Sequence, residues 1–300
     1  ACKTQGDWKP IGPTFIPTNN TGQINGMGRV NSVALHPTDS NTIYVGAAAG
    51  GIWKTTNGGL TWSVNTDSLP TLGVSAIAID PNNPSTMYFG SGDRDNGDAA
   101  GYGVFKSTNA GASWTISNSG MGNRTVGKLI IDPNNTSVLI AACNGGIYRS
   151  TNAGATWTQT FSGGFFKDIV FKPNNSNVVY ATKDGLIYRS VNNGQSWSAL
   201  SSGLPTSSVS RAALAVSNIN PSLLYVWIAN GSVHRGFYLS RDSGTSFRTQ
   251  STTPNIHDYS TTGSGSGGQA WYNMNMVVDP GNQAVVYFGG VNVLRLDDTF

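Results

Sequence analysis

Ser150-Thr151-Asn152-Ala153-Gly154-Ala155-Thr156-Trp157 decides how this chain folds, because the sequence writes it several times over. It stands as Thr55-Thr56-Asn57-Gly58-Gly59-Leu60-Thr61-Trp62, as Ser107-Thr108-Asn109-Ala110-Gly111-Ala112-Ser113-Trp114 and as Ser190-Val191-Asn192-Asn193-Gly194-Gln195-Ser196-Trp197. A looser version is Ser240-Arg241-Asp242-Ser243-Gly244-Thr245-Ser246-Phe247. The glycines Gly59, Gly111, Gly154, Gly194 and Gly244 follow one another at intervals of 40 to 52 residues. A strand-rich repeat of that period is the mark of a β-propeller blade. Each box lies between strand-like runs, here Gly146-Ile147-Tyr148-Arg149 and Trp157-Thr158-Gln159, so it reads as a hairpin loop. Asn or Asp bonds backbone N–H groups ahead of it, Gly takes a positive φ, and the aromatic residue restarts the next strand as a plate between blades. On that reading the boxes are scaffold and the chemistry lies elsewhere.

Each repeat has the same frame: an apolar strand A ending in a Pro turn, strand B, a Gly-rich loop, strand C, the box and strand D. Strands such as Ala76-Ile77-Ala78-Ile79 and Leu129-Ile130-Ile131 are continuously apolar, as inner strands covered on both faces are. The expected blades span about residues 30–66, 72–118, 125–161, 166–200, 209–250 and 271–300. The sixth lacks strand D, and the N-terminal segment 6–11, with Gly6-Asp7-Trp8, echoes the start of the other D strands. Pairing it into the last blade would leave no open edge there. The expectation is an all-β chain forming a single domain over residues 1–300. It would be a β-propeller of six four-stranded antiparallel blades closed by the N-terminal strand, either whole or the N-terminal part of a longer chain.

Composition narrows the function. Only 11% of residues are charged, and the net charge of +3 with no basic run argues against nucleic acid. No apolar stretch is long enough for a membrane helix. All 15 acidic residues are Asp; a chain without Glu is a poor source of long helices and has no glutamate for catalysis. Two cysteines, Cys2 and Cys143, permit one disulfide. The Gly, Ser, Thr and Asn-rich composition points to a secreted or cell-surface protein after removal of a signal peptide, partnered by a glycan or an extracellular protein. It would act as a monomer or within a larger surface assembly.

Propellers carry function on the loops between strands. Two insertions stand out, Ser91-Gly92-Asp93-Arg94-Asp95-Asn96-Gly97-Asp98 and the segment from Asn255 to Trp271-Tyr272. Aligning the A strands by their Pro puts Arg29, Phe165 and Tyr272 at one entrance position, with Arg124, Arg211 and Trp271 close by. Basic and aromatic groups together suit a sugar or an acidic ligand; the plainer alternative is that the Arg side chains satisfy strand-end carbonyls. Asp93, Asp95 and Asp98 alternate as hard oxygen donors and make a Ca²⁺ candidate, although an EF-hand would end in Glu. No other cofactor is expected. His36, His234 and His257 sit in separate repeats without ligand spacing, which argues against zinc. Asp80, Asp132 and Asp279 precede or approach Pro turns and read as turn residues. Lys54, Lys106, Arg149 and Arg189 recur before the boxes and read as solvated strand faces.

The box resembles the Asp-box (BNR) repeat, Ser-x-Asp-x-Gly-x-Thr-Trp, of sialidases, sortilin-type propellers and xyloglucanase-like propellers. The sialidase branch implies a Glu-assisted Tyr nucleophile and an Arg-Ile-Pro signature, neither of which this sequence has. The xyloglucanase branch implies inversion by two Asp residues, and Tyr180-Ala181-Thr182-Lys183-Asp184-Gly185 resembles its strand segment bearing a catalytic Asp. The matching place in the first repeat, Ala47-Ala48-Ala49-Gly50-Gly51, holds no acid. The run from Trp8 to Lys54 is similar to the start of large secreted Asp-box proteins of the Bacteroidota, and photosystem-associated assembly propellers share the repeat. Together these imply a glycan- or protein-binding scaffold module acting through its channel-mouth loops, more a binder than an enzyme. The alternative is an inverting glycoside hydrolase with Asp184 catalytic.

Overall fold

The computed structural model describes residues 8–12 and 29–297, and every regular element among them is a β-strand. The first twelve strands are β1 (Trp8–Gly12), β2 (Val30–Leu35), β3 (Ile43–Ala47), β4 (Ile52–Thr55), β5 (Ser63–Val64), β6 (Val74–Ile79), β7 (Met87–Ser91), β8 (Val104–Ser107), β9 (Thr115–Ile116), β10 (Val126–Ile131), β11 (Leu139–Ser150) and β12 (Thr158–Lys172). The rest are β13 (Asn175–Lys183), β14 (Leu186–Ser190), β15 (Ser198–Leu200), β16 (Arg211–Val216), β17 (Leu224–Asn230), β18 (Val233–Ser240), β19 (Arg248–Ser251), β20 (Asn275–Val278), β21 (Val285–Gly289) and β22 (Val293–Asp297). Consecutive strands pair antiparallel into propeller blades, β2 to β5, β6 to β9 and β16 to β19 each making a four-stranded sheet.

The count of six separate blades is corrected to five sheets. β10 to β15 share one sheet of six strands, because β12 serves two repeats in a single run. Elsewhere a loop rich in Ser, Pro or Gly separates strand D from the next strand A. Here only Gly163 and Gly164 intervene, both at positive φ, and the strand passes through them. The N-terminal strand does complete the last sheet: β1 runs antiparallel to β22, with Trp8 opposite Leu296 and Lys9 opposite Arg295.

The strands gather into two compact units. The first comprises Gly28–Ile169 with Asn192–Trp197; the second comprises Val170–Val191, Ser198–Phe300 and the N-terminal segment. In the first, Tyr44, Phe89, Phe105 and Trp114 form one buried cluster, and Tyr88, Val126, Leu139 and Trp157 another. In the second, Tyr180, Leu214, Val226 and Phe247 form a core beside one built on Tyr225, Trp227, Phe237 and Phe288. Cys143 is buried in the first unit, and burial pushes its thiol up; Cys2, the other half of the one disulfide the sequence permits, lies outside the described residues.

Each box is a side-chain-wired turn. In the third, Ser150 Oγ accepts the Asn152 and Gly154 N–H groups, and Asn152 Oδ1 accepts the Thr156 N–H at 2.9 Å while Asn152 Nδ2 donates to Thr156 Oγ1 at 2.8 Å. Two successive residues take the left-handed region: Ala153 at φ 54° and Gly154 at 81°. A Cβ on Gly154 would meet Ser117 Oγ at 2.7 Å, so the glycine answers both a torsion and a close approach. Asn152→Ala removes three hydrogen bonds, the one that Asn152 Oδ1 accepts from Ser150 Oγ at 3.0 Å included, and is expected to lower stability by about 1–2 kcal/mol. Chemical denaturation with Thr151→Ala, which touches none of them, as the control measures it.

The cations before the boxes are not solvated strand faces, and the expectation for them is overturned. Each reaches forward to the carbonyl of the left-handed residue in the next box, and Lys54, Lys106 and Arg189 do so beside a tyrosine hydroxyl from strand B. Tyr44 Oη and Lys54 Nζ both donate to the Ala110 carbonyl at 3.1 Å. Tyr88 Oη and Lys106 Nζ donate to Ala153 at 3.1 and 3.0 Å. Arg149 Nε donates to Asn193 at 2.8 Å, and Tyr180 Oη and Arg189 Nη1 both donate to Ser243 at 2.9 Å. The tyrosine and the cation are cross-strand partners, as Tyr44 with Lys54 and Tyr88 with Lys106, so register alone aims both at one acceptor.

Candidate functional site

Two loop regions gather the polar and aromatic residues singled out in the sequence, one in each unit. In the first unit the insertion Ser91 to Asp98 folds over the entry ends of three strands. Asp93 is buried and accepts the backbone N–H groups of Asp95, Asn96 and Asp98. It also accepts from Arg29, which reaches Asp98 at 3.0 Å as well. Burial alone would raise the Asp93 carboxyl, but the Asp95 and Asp98 N–H groups and the Arg29 guanidinium outweigh it and hold it below the ordinary carboxylate range.

Arg94 points the other way. It pairs with Asp95 at 3.1 Å and donates to the Gly127 carbonyl at the start of β10 and the Asn31 carbonyl in β2. Lys167 of β12 approaches Asp95 at 3.6 Å, and Lys128 pairs with Asp168 at 2.6 Å. Asp93, Asp95 and Asp98 thus turn to Arg29, Arg94, Lys167 and their own loop rather than to one point. Among the described residues no group of three or more His, Cys, Asp or Glu side chains is placed to hold a metal ion. Arg124 donates to the Met121 carbonyl and lies 5.8 Å from the centre of the Tyr148 ring, and Lys167 Nζ sits 5.5 Å from the centre of Phe165. Arg94 and Arg124 thus both donate to backbone carbonyls.

In the second unit the insertion after β19 is an ordered loop. Asn255 donates to the Gly265 and Gly267 carbonyls, and Asp258 accepts from Ser260 Oγ and the Gly265 N–H. Its far end carries Trp271, 44% exposed, with its ring 4.3 Å from that of Tyr272. Buried Arg211, at the start of β16, donates to the Trp271 carbonyl at 2.6 Å and fixes the backbone beneath that pair. Tyr272 Oη donates to Gln269 Oε1 at 2.6 Å, and Tyr259 stands exposed on the same insertion. Arg211, Trp271 and Tyr272 are therefore brought together as the sequence proposed, with the arginine as a buried support rather than a ligand-facing cation.

Beneath the insertion lies a group that sequence reasoning missed. Trp227 of β17 is fully buried, donates through Nε1 to His234 Nδ1 at 3.1 Å, and stacks on His257 at 4.3 Å with the rings 3° from parallel. Burial pushes His234 down to about 4. Burial, then the charges of His234 and Arg211, push His257 down to about 2. The signal was available in part: His257 falls in the long insertion, but nothing in the spacing placed Trp227 and His234 beside it.

Asp184 sits at the tip of the β13–β14 hairpin, at φ 52°, followed by Gly185 at 79°. Two residues at positive φ make the Asp-Gly tip of a type I′ turn, and the side chain is exposed. Its place is explained by the turn.

Comparisons with known proteins agree with this architecture. A family model described as sortilin, neurotensin receptor 3 (Sortilin-Vps10) matches residues 145–270. A xyloglucanase of Hypocrea jecorina is 26% identical over 178 residues, covering 52% of this chain and 21% of the relative. A xyloglucanase of Acetivibrio thermocellus is 27% identical over 124 residues, covering 34% of this chain and 14% of the relative. An ancestral GH74 enzyme of known structure superposes with a TM-score of 0.70 at 23% identity, covering 88% of this chain and 35% of that one. The extracellular domain of a two-component-system protein of B. thetaiotaomicron superposes at 0.63 and 14% identity, over 93% of this chain and 34% of that one. The repeats are of the Asp-box, sortilin and xyloglucanase-like type, and the likeness in structure shows the fold. The chain spans about a fifth or less of the length of the curated relatives it matches. Among the described residues no helix is long and apolar enough to cross a membrane.

Proposed function

We propose that this chain is an exported glycan-binding propeller module, with the Trp271–Tyr272 plate and Tyr259 as its binding surface. One observation carries the reading: a half-exposed indole rests against a tyrosine ring on a loop whose backbone is pinned from below by buried Arg211. An exposed indole face, with a tyrosine ring tilted 55° beside it and hydroxyl and amide groups at its border, matches the alternating C–H faces and hydroxyl edges of a sugar ring. The partial similarity to xyloglucanases supports a glycan over a protein ligand, and favours a neutral plant polysaccharide.

The same similarity favours a second reading, an inverting hydrolase, so the experiment separates the two. Xyloglucan oligosaccharides are titrated calorimetrically while reducing ends are assayed in parallel. Binding without cleavage is expected, weakened about tenfold or more in Trp271→Ala, since a central aromatic anchor commonly carries that much, and unchanged in Asp184→Ala. Reducing ends that disappear in Asp184→Ala would replace this reading with the hydrolase. Binding indifferent to Trp271→Ala but lost in Arg29→Ala would move the site to the first unit. No binding to any polysaccharide tested would sink the glycan reading.

A further inference from the structure

Asn followed by Gly is the pair at which a polypeptide most readily attacks itself. The Gly nitrogen, deprotonated by base, adds to the Asn side-chain amide carbon, closes a cyclic imide and expels ammonia. Water then opens the ring at either carbonyl and leaves Asp or isoaspartate. One water is taken up, one ammonia leaves, and nothing is oxidised or reduced. Gly suits the step because no Cβ blocks the approach of its nitrogen. The step also needs a Gly N–H that is not already donating, and an Asn amide free to turn toward it. The sequence holds six such pairs, beginning at Asn25, Asn57, Asn96, Asn144, Asn193 and Asn230; the first lies outside the described residues.

Four of the five described pairs are tied. The Gly58 N–H donates to the Asn41 carbonyl at 2.9 Å, and Asn57 Oδ1 accepts the Thr61 N–H of its own box at 2.9 Å. Asn144 Oδ1 accepts the Thr125 N–H at 2.8 Å. Asn193 is buried, with Oδ1 on Arg149 and Nδ2 donating to Asp132 at 2.7 Å. The Gly231 N–H, next to Asn230, donates to Ser210 Oγ at 2.8 Å.

Asn96-Gly97 is the exception. Asp93 gathers the N–H groups of Asp95, Asn96 and Asp98 and passes over the one between them, that of Gly97. Among the described residues the Gly97 N–H makes no hydrogen bond. Both residues of the pair are exposed, and a Cβ built on Gly97 would meet nothing within 4 Å, so water and base reach the nitrogen. The Asn96 amide makes one contact among the described residues, an exposed hydrogen bond from Nδ2 to Asp98 Oδ1 at 2.8 Å. Water replaces such a bond at little cost, and Oδ1 stays free to carry the charge of the addition step.

We propose that Asn96 is a self-modification site, the described Asn-Gly pair that converts to Asp and isoaspartate in the folded protein. The product acts on the loop that carries it. Its carboxylate has no N–H to give Asp98 and faces it as a like charge. In isoaspartate the main chain runs through the former side chain and is longer by one carbon. The spacing that sets the Asn96 and Asp98 N–H groups on one Asp93 oxygen is then lost. The ties of this loop to Asp93 and of Asp98 to Arg29 therefore weaken together.

Peptide mapping by mass spectrometry tests this on the whole chain, held folded at mildly alkaline pH. Each pair is followed as a gain of one mass unit, and fragmentation separates isoaspartate from Asp. Asn96 is expected to convert first among the five, about fivefold or more ahead of each tied pair, since those must first break a hydrogen bond. In guanidinium chloride every N–H is open, and the five should convert at similar rates. Ser210→Ala supplies the converse case by removing the acceptor of the Gly231 N–H. Conversion at Asn230 should then rise about fivefold, with Asn96 unchanged. Asn96→Gln, which would have to close a larger ring, should silence the site. The proposal is overturned if Asn96 stays intact while a tied pair converts. It is overturned equally if Asn96 keeps its lead in the unfolded chain, which would put the cause in local sequence alone. Conversion at Asn230 that ignores Ser210→Ala would show that the N–H bond does not decide the order, and would remove the argument for Asn96.

Discussion

Trp227→Ala lowers the unfolding free energy by about 3–5 kcal/mol, the range for truncating a buried tryptophan. The side chain has no exposed surface and stands between two ring systems, parallel to His257 at 4.3 Å and edge-on to Phe288 at 5.0 Å. Its removal leaves a cavity that cannot close by a side-chain shift. The neighbours are strand residues held in register: Phe237 lies directly opposite on β18, and Ala213 opposite on β16. It also leaves His234 Nδ1 without the indole N–H it accepts. Against a total stability of about 5–15 kcal/mol for an ordinary domain, the loss is a large fraction. Urea titration followed by circular dichroism measures it. Trp227→Phe keeps a ring on His257 and should recover more than half, whereas Trp271→Ala on the surface should cost under about 1 kcal/mol. A loss under 1 kcal/mol for Trp227→Ala would mean that the insertion and its histidines do not rest on this residue.

The box and its neighbours were legible because their signal is local. A hydroxyl, an Asn two residues on and a Gly four residues on wire one turn, and repetition of that spacing counts the turns. The merging of two repeats through β12 was less legible. Ser162-Gly163-Gly164 has the composition of a loop, and only the pairing of Gly146 with Ser162 and Asn144 with Phe165 shows strand on both sides. The latch was hidden for another reason. Lys54, Lys106, Arg149 and Arg189 each follow an apolar residue by one position, which in an isolated strand means the wet face. Here that face meets the next repeat, and the cation ends on a carbonyl that only a left-handed residue turns toward it.

The candidate sites divide in the same way. Trp271 and Tyr272 were found because an insertion lengthens one connection of a regular repeat, and the aromatic pair stands at its end. For Arg211, strand alignment gave a place at the entrance but could not show that its guanidinium donates to the Trp271 carbonyl. Asp93, Asp95 and Asp98 have the alternation of cation ligands, yet besides the adjacent Arg94 the positive charges that meet them come from Arg29 and Lys167, 64 and 72 positions away along the chain. Sequence spacing carries no information about such partners.

The pair His234 and His257 makes stability depend on pH in a window where few other groups titrate. Both imidazoles have folded values below the ordinary 6.5, His234 at about 4 and His257 at about 2, so the fold holds them neutral. Below pH 6.5 the unfolded chain binds protons that the folded chain refuses. The stability they contribute is whole above that value and declines as pH falls toward the folded values. Each imidazole removes about 1.4 kcal/mol per pH unit once well below 6.5, so the pair together should cost about 3–4 kcal/mol between pH 7 and pH 5. The lowered carboxylates Asp93, Asp242, Asp258 and Asp279 lose their contribution only below their ordinary 3.8, outside this window. Arg211, buried nearby, keeps its charge throughout and opposes protonation of His257. His257→Phe preserves a ring against Trp227 and removes one titrating group, so the slope from pH 6 to pH 5 should fall by about half. Denaturant midpoints at several pH values read this directly. A wild-type midpoint that is flat from pH 7 to pH 5 would mean that the insertion opens to admit water to both histidines, and that the Trp271 plate stands on a looser base than its hydrogen bonds imply.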